Sequence, residues 1–281
     1  MEESPLIVFT LLLQAAAGAA WLLTGVAHWL AGRGEPVAAQ ALAALGWPWI
    51  AGMAVVGVLA SAAHLGVPTN AWRAASNWRT SWLSREILAA SGFTGAALAA
   101  ALTLGRGRVL AGLAQGLAML AGLALVHCMA KAYRLVPVPA WNSTLTPAGF
   151  CTTALLLGGL VVGGCLGALP GPRSAPLAAA GSGLAVVAVV LACLSLSLTA
   201  LWLARLPAAF RTGILERQRL LVLGRFALAL AGAGAAALTL VPGWAGPALP
   251  AAILALAGAE TLGRALFYSG QLAHGVYGYK G

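Results

Sequence analysis

The most restrictive feature of the sequence is a series of long apolar stretches, each nearly free of charge and each closed by glycine or proline. A helix that crosses a bilayer needs about 20 predominantly apolar residues. Eight stretches meet that need, near residues 5–31, 41–65, 85–104, 108–131, 148–169, 176–204, 219–241 and 247–269. Breakers separate them at 32–36, 66–68, 105–107, 137–147, 170–176, Pro207 and 242–246. The bilayer interior offers backbone N–H and C=O groups no water, so a span must be a helix or part of a closed barrel. Stretches this long, without alternation, exclude the barrel. The sequence predicts an all-α integral membrane protein: a bundle of eight transmembrane helices, one polytopic unit over residues 1–281, with no soluble domain.

Composition agrees. Of 281 residues, 61% are hydrophobic and 8% charged, against about 45–50% and about 25% in a soluble domain. So few charges cannot cover a water-exposed surface, and disorder needs the opposite balance. The net charge is +10, with 16 Lys plus Arg, six Glu and no Asp. No basic block is long enough to follow a phosphate backbone, so nucleic acid is not an expected partner. Cys128, Cys151, Cys165 and Cys193 sit in apolar runs and form no C-x-x-C. No metal site is expected from them, neither an iron–sulfur cluster nor a covalently held haem. The N-terminal Met-Glu-Glu-Ser-Pro is acidic, unlike a cleavable signal, and reads as the start of a retained span.

Taking the side that carries the N-terminus as the near face, the eight spans assign its loops ten basic residues: Arg73, Arg79, Arg85, Lys131, Arg134, Arg205, Arg211, Arg217, Arg219 and Lys280. The far face receives Arg33, Arg106, Arg108 and Arg173, while Arg225 and Arg264 fall inside spans. The positive-inside rule then puts the near face and both termini in the cytoplasm, and the chain in a bacterial inner membrane. Basic loops that dock an acidic partner would produce the same asymmetry.

Polar side chains gather at the near face in three places. The first holds His64, Gly66 and Pro68, then Trp72, Arg73, Asn77, Trp78, Arg79, Trp82, Ser84, Arg85 and Glu86. Ser84 is suited to cap the third span, with Glu86 in its first turn. His64 and Glu86 then stand at one depth, where a titrating histidine and a half-buried carboxylate can hydrogen-bond a quinone and exchange its protons. The alternative is a helix-end histidine capping carbonyls and a carboxylate on a helix dipole. The tryptophans read as an interfacial belt. The second place is 138–147, where Pro139 and Pro147 stiffen a connector and Trp141 and Asn142 can face the membrane. The third is Glu260, Arg264 and Tyr268 on the last span. Glu260 and Arg264, four apart, share a helix face and read either as an ion pair locking the bundle or as part of a proton path. His127, late in the fourth span, is a helix residue or, with His64, one of two haem b ligands. His28 and His274 read as helix-end residues. Gly159 and Gly163 form a G-x-x-x-G suited to close helix packing.

At these residues the chain resembles the membrane anchor subunits of the dimethyl sulfoxide reductase family. The matching pieces are His64-Leu65-Gly66-x-Pro68, Leu83-Ser84-x-Glu86-Ile87, Pro139-x-Trp141-x-Ser143 with Thr146-Pro147-x-Gly149-Phe150, and Glu260-x-x-Gly263-Arg264 with Phe267-Tyr268. The resemblance implies a near-face site for menaquinone or ubiquinone, with His64 as the quinol-binding histidine and Glu86 as its glutamate. It implies two partner chains, an iron–sulfur subunit with four clusters and a molybdopterin catalytic subunit. A cytoplasm-facing relative of the sulfite dehydrogenase type fits the charge count.

The sequence thus reads as a quinone-reactive anchor that exchanges electrons between the membrane quinone pool and an iron–sulfur partner. His64, Glu86, Trp141 and Asn142 form the quinone site. Glu86, Glu260 and Arg264 form the proton path, and Arg73, Arg79, Arg85 and Arg134 dock the partner. A secondary transporter is the rival reading, although the polar residues crowd one interface and no internal repeat is evident. A purely structural anchor is the third.

Overall fold

The computed structural model describes residues 4–63, 71–136, 138, 140–171 and 174–277. Ten helices account for nearly all of them: α1 (Ser4–Gly32), α2 (Pro36–Ala63), α3 (Ala71–Ser76), α4 (Trp82–Leu102), α5 (Arg108–Ala132), α6 (Leu145–Gly167), α7 (Ala175–Arg205), α8 (Ala208–Arg217), α9 (Arg219–Leu238) and α10 (Ala245–Tyr277). Eight are long, and each corresponds to one of the apolar stretches. The short α3 and α8 lie in near-face connections that the sequence reading left as loops.

Seven of the eight are long and apolar enough to cross a membrane on composition alone. The exception is α4, whose 21 residues carry Arg85 and Glu86 and rely on alanine where its neighbours use leucine and valine. It packs against α5 and α2, and its inner face (Ala90, Phe93, Ala96, Ala97, Ala100) belongs to the main core. The bundle therefore keeps its eighth long helix. α2 begins at Pro36, earlier than the sequence reading, because proline is favoured in a first helical turn. α10 runs on to Tyr277, beyond the predicted end.

The centre is built from α1 and α6. Of their most apolar windows 61% and 67% are buried, against 22–39% for the other spans. Lipid tails are as apolar as leucine, so close packing must hold such helices together. The closest crossing is at Gly18 and Gly158. A Cβ on Gly18 would lie 1.8 Å from Ala154 O, and one on Gly158 would lie 2.3 Å from Gly18 C. The predicted G-x-x-x-G at Gly159 and Gly163 is not this contact, since Cβ atoms there would meet only leucine methyls at 3.6 and 3.9 Å. The seam lies one residue away, on the glycine facing α1.

Far-face turns are tight. They hold every positive-φ residue of the described chain, all glycines, Gly34 and Gly243 both at 84°. The near face carries the longer connections, and with them α3, α8 and the segment 133–144.

Candidate functional site

The near end of α4 is set by a turn at Asn77. The Thr80 and Ser81 N–H groups donate to Asn77 O at 3.3 and 3.0 Å. Ser81 then caps α4, its hydroxyl accepting from Ser84 N at 3.3 Å. The sequence reading gave that role to Ser84. The cap falls three residues earlier because the Asn77 turn ends there, and the Ser84 hydroxyl instead donates to Ala74 O, tying α3 to α4. Glu86 is consequently in the second turn rather than the first, on the buried side.

Glu86 is 2% exposed, and its Oε1 has no hydrogen-bond partner among the described residues. Arg85 does not neutralise it. The Arg85 guanidinium donates to Trp78 O at 2.8 Å and Arg79 O at 2.6 Å, and lies 4.3 Å over the Trp82 ring. An unpaired buried carboxylate oxygen is costly, and the described residues supply it no partner.

Below the loop lies an aromatic cluster centred on Tyr133, which follows the last turn of α5. Its ring meets Trp141, Phe150, Phe267 and Tyr268 at centroid distances of 5.5–5.8 Å. Trp141 is buried, stacked on Phe267 at 5.3 Å, and its indole N–H donates to Phe267 O at 2.6 Å. Thr146 and Trp202 fasten the same connector by donating to Trp141 O and Ala140 O, both at 2.7 Å. The Tyr133 and Tyr268 phenols share a hydrogen bond of 2.9 Å. Burial first, then Tyr268 and Glu86, push the Tyr133 phenol well above its ordinary value, while Arg264 pulls it down.

α10 carries a buried polar stripe: Glu260 at 4%, Arg264 at 5% and Tyr268 at 2% exposed. The expected Glu260–Arg264 ion pair is not what forms. Glu260 takes Arg225 of α9, with Nη2 at 3.5 Å from Oε1, and accepts from Ser195 and Thr153, each at 2.6 Å. Arg225 also donates to Thr199 Oγ1, Ser195 Oγ and Ala259 O at 2.8–3.0 Å. The reason is steric. A Cβ on Gly263 would lie 1.3 Å from Arg225 Nη1, so the glycine opens the slot through which Arg225 reaches α10. Arg264 turns the other way, donating to Gln14 Oε1 at 2.6 Å and lying 4.1 Å over Phe150.

These groups line a cleft of about 90 Å³ between α6, α7, α9 and α10, including Thr153, Ser195, Arg225, Glu260 and Arg264. That is room for a few waters and less than the ~150 Å³ that accepts a benzene ring.

The remaining sequence candidates are placed as follows. Asn142, Arg73 and Arg79 are exposed at the near face, and Arg134 is half-buried, its Nε unpaired among the described residues. His127 is exposed, edge-on to Trp82 at 5.7 Å. His28 is exposed, with Nδ1 2.8 Å from Thr24 O. His64 lies outside the described residues, as does its pairing with Glu86 or His127; the His274 side chain also lies outside them. Among the described residues, no three His, Cys, Asp or Glu side chains gather to hold a metal. Sequence reasoning missed Tyr133, Gln14 and the role of Gly263. Arg225 was visible as a charge inside a span, but nothing in its spacing named its partner.

Comparison with known proteins decides the family. The model of the DMSO reductase anchor subunit (DmsC) matches residues 1–270. The chain belongs to this anchor-subunit family. The anaerobic dimethyl sulfoxide reductase chain YnfH of Escherichia coli is 29% identical over 168 residues, 59% of this chain and 58% of that one. One of the subunits of the sulfite dehydrogenase of Allochromatium vinosum is 37% identical over 118 residues, 34% of each chain. The matched segments thus span about one third to three fifths of these relatives. The chain is thus a member of the anchor-subunit family, with seven helices among the described residues long and apolar enough to cross a membrane.

Proposed function

We propose that this anchor binds quinone at its near face and exchanges electrons between the membrane pool and an iron–sulfur partner docked there. The observation that carries the reading is Glu86: a carboxyl group 2% exposed, with one oxygen unpartnered among the described residues, at the near end of α4. Ionisable groups kept inside a membrane without a structural partner mark ligand and proton sites. A quinone supplies the two-electron, two-proton chemistry, and its ring oxygens match a carboxyl donor on one side and a histidine on the other.

In this reading His64 and Glu86 hold the two ring oxygens, and Glu86 passes protons. Trp141 fixes the connector that floors the site, and Asn142 sits at its entrance. The exposed Arg73 and Arg79 dock the iron–sulfur subunit, assisted by Arg85 and Arg134 at the root of the same loops. That subunit, with four clusters, carries electrons to or from a molybdopterin chain. The near face is cytoplasmic, in a bacterial inner membrane, which favours a sulfite dehydrogenase arrangement over an exported dimethyl sulfoxide reductase. Menaquinone and ubiquinone present the same ring oxygens.

The test is Glu86→Gln in the intact complex. A positioned acid–base group contributes about 10²–10⁴-fold, so quinol-linked turnover should fall at least 100-fold while the iron–sulfur subunit still co-purifies. Unchanged turnover in both Glu86→Gln and His64→Ala would return the chain to a structural anchor.

A further inference from the structure

The wall of the cleft between α6, α7, α9 and α10 carries two guanidinium groups, Arg225 and Arg264, and one carboxylate, Glu260. All three are buried, at 7%, 5% and 4% exposed. The carboxylate is fully answered: Arg225 pairs with it, and the Ser195 and Thr153 hydroxyls donate to it. Arg225 is equally engaged, by Thr199, Ser195 and the Ala259 carbonyl. Arg264 is the charge left over. A guanidinium has five N–H donors, yet the protein acceptor that Arg264 meets among the described residues is Gln14 Oε1 alone. No carboxylate among the described residues pairs with it. The rings of Phe150 and Phe267, 4.1 and 5.6 Å away, attract the cation but are poor hydrogen-bond acceptors. Gln14 adds to the same imbalance, since its buried Nε2 has no acceptor among the described residues. A buried charge without a partner is costly, and a surplus of donors is relieved by a ligand that is anionic and only accepts.

The cleft also stands where such a ligand is at hand. Leu145 and Thr146, in the first turn of α6, and Trp202, near the end of α7, belong to its wall, so it lies at the near-face ends of these helices. Thr144 gives α6 no side-chain cap, and the N-terminal end of a helix favours negative charge. The hydroxyl protons of Thr146, Thr153 and Ser195 are already committed to Trp141 O and Glu260, which leaves Arg264 as the donor with capacity to spare. The volume of about 90 Å³ equals about three waters at ~30 Å³ each, the scale of one phosphate group.

We propose that this cleft binds the phosphate group of a phospholipid from the near face, with Arg264 as its principal ligand. The planar guanidinium fork matches two phosphate oxygens, and basic pockets between membrane helices are suited to lipid headgroups. The charges balance. Two guanidinium groups and one carboxylate leave a single positive charge, and a phosphodiester carries a single negative one. A phosphate dianion would overshoot, which favours the lipid over free phosphate. The acyl chains stay outside the cleft, along helices long and apolar enough to cross a membrane. This site is separate from the quinone reading and stands whether or not quinone binds at Glu86.

The experiment uses the full chain, with any subunits that accompany it, stripped of lipid in mild detergent. Dioleoylphosphatidylglycerol, dioleoylglycerol and inorganic phosphate are added separately at constant ionic strength. Thermal unfolding and native mass spectrometry are the readouts. The expected result is a higher unfolding temperature and one retained lipid per chain with phosphatidylglycerol, and neither with the diacylglycerol. Arg264→Gln should weaken phosphatidylglycerol binding by about tenfold or more, the scale of one charge-assisted hydrogen bond. Arg264→Lys, which keeps the charge and loses the fork, should fall between the two. An equal shift with inorganic phosphate alone would keep the phosphate chemistry and overturn the lipid as its source. Equal shifts with both lipids would mean that the chains bind and the phosphate does not, and no shift with any ligand would leave the cleft to water; either result overturns the proposal. So does an Arg264→Gln protein that binds phosphatidylglycerol as the wild type does. If Arg264→Gln does not assemble, the three wild-type arms and Arg264→Lys still decide.

Discussion

Arg225 and Gly263 are one device made of two residues. The guanidinium reaches Glu260 and the Ala259 carbonyl only because Gly263 has no side chain. Removing one partner of a buried pair typically costs about 3–5 kcal/mol, whereas replacing both with apolar groups is often neutral or better. Arg225→Leu is therefore expected to destabilise the bundle by about 3–5 kcal/mol, because Glu260 keeps only the Ser195 and Thr153 hydroxyls. The double variant Arg225→Leu with Glu260→Leu should recover most of the loss. Gly263→Ala should resemble Arg225→Leu rather than an ordinary surface alanine. Thermal unfolding in lipid nanodiscs distinguishes these outcomes. A Gly263→Ala protein as stable as wild type would show that the slot is not needed. At this scale the sequence was only partly legible. It exposed Glu86, Glu260 and Arg264 as charges where charge is expensive, but hydrogen-bond partners are chosen in three dimensions. The i, i+4 spacing offered Arg264 to Glu260, and the neighbouring helix α9 supplied Arg225 instead.

Helices are where the sequence was most legible. Eight runs of apolar residues became eight long helices, because lipid allows a backbone few alternatives. What it hid were the short pieces, α3 and α8. Each is under one membrane thickness and too polar to stand out by hydropathy. The cap of α4 was also hidden, because Ser81 and Ser84 are equal in sequence and only the Asn77 turn chooses between them. The helix crossing was misread for a related reason. A G-x-x-x-G marks a flat face but not what it faces, and Gly158, beside the motif, meets Gly18. The consequence is measurable. Gly158→Leu and Gly18→Leu place side chains into backbone on the facing helix, so each should cost more than the about 1–3 kcal/mol of ordinary overpacking or abolish assembly. Gly163→Ala meets one leucine methyl at 3.9 Å and should change stability by less than about 0.5 kcal/mol. Retention of heat-stable protein in mild detergent ranks the three. Equal losses at Gly18 and Gly163 would argue against α1 and α6 as the central pair.

For the molecule as a whole, near-face positive charge has two explanations with different physics. Orientation during insertion depends on the excess of Lys and Arg near the spans. With ten such residues assigned by the sequence reading to one face and four to the other, no single substitution should reverse it. Docking depends on the few charges a partner touches. Rim charges act chiefly on association and its salt dependence. Arg79 separates the two, because its side chain is exposed and rests on Trp78, with its guanidinium 5.4 Å from the ring centroid, while the contact that Arg85 makes with it uses the Arg79 carbonyl. Arg79→Glu should leave topology unchanged: a C-terminal green fluorescent protein fusion stays bright and an alkaline phosphatase fusion stays silent. The same variant should recover less of the iron–sulfur and molybdopterin chains in a tagged pull-down at low salt, with the difference from wild type shrinking as salt rises. Full recovery at every salt concentration would mean that Arg79 lies off the interface and that its charge serves insertion alone. A silent fluorescent fusion in the wild type, with an active phosphatase, would put the near face outside and move the docked partner to the other side of the membrane.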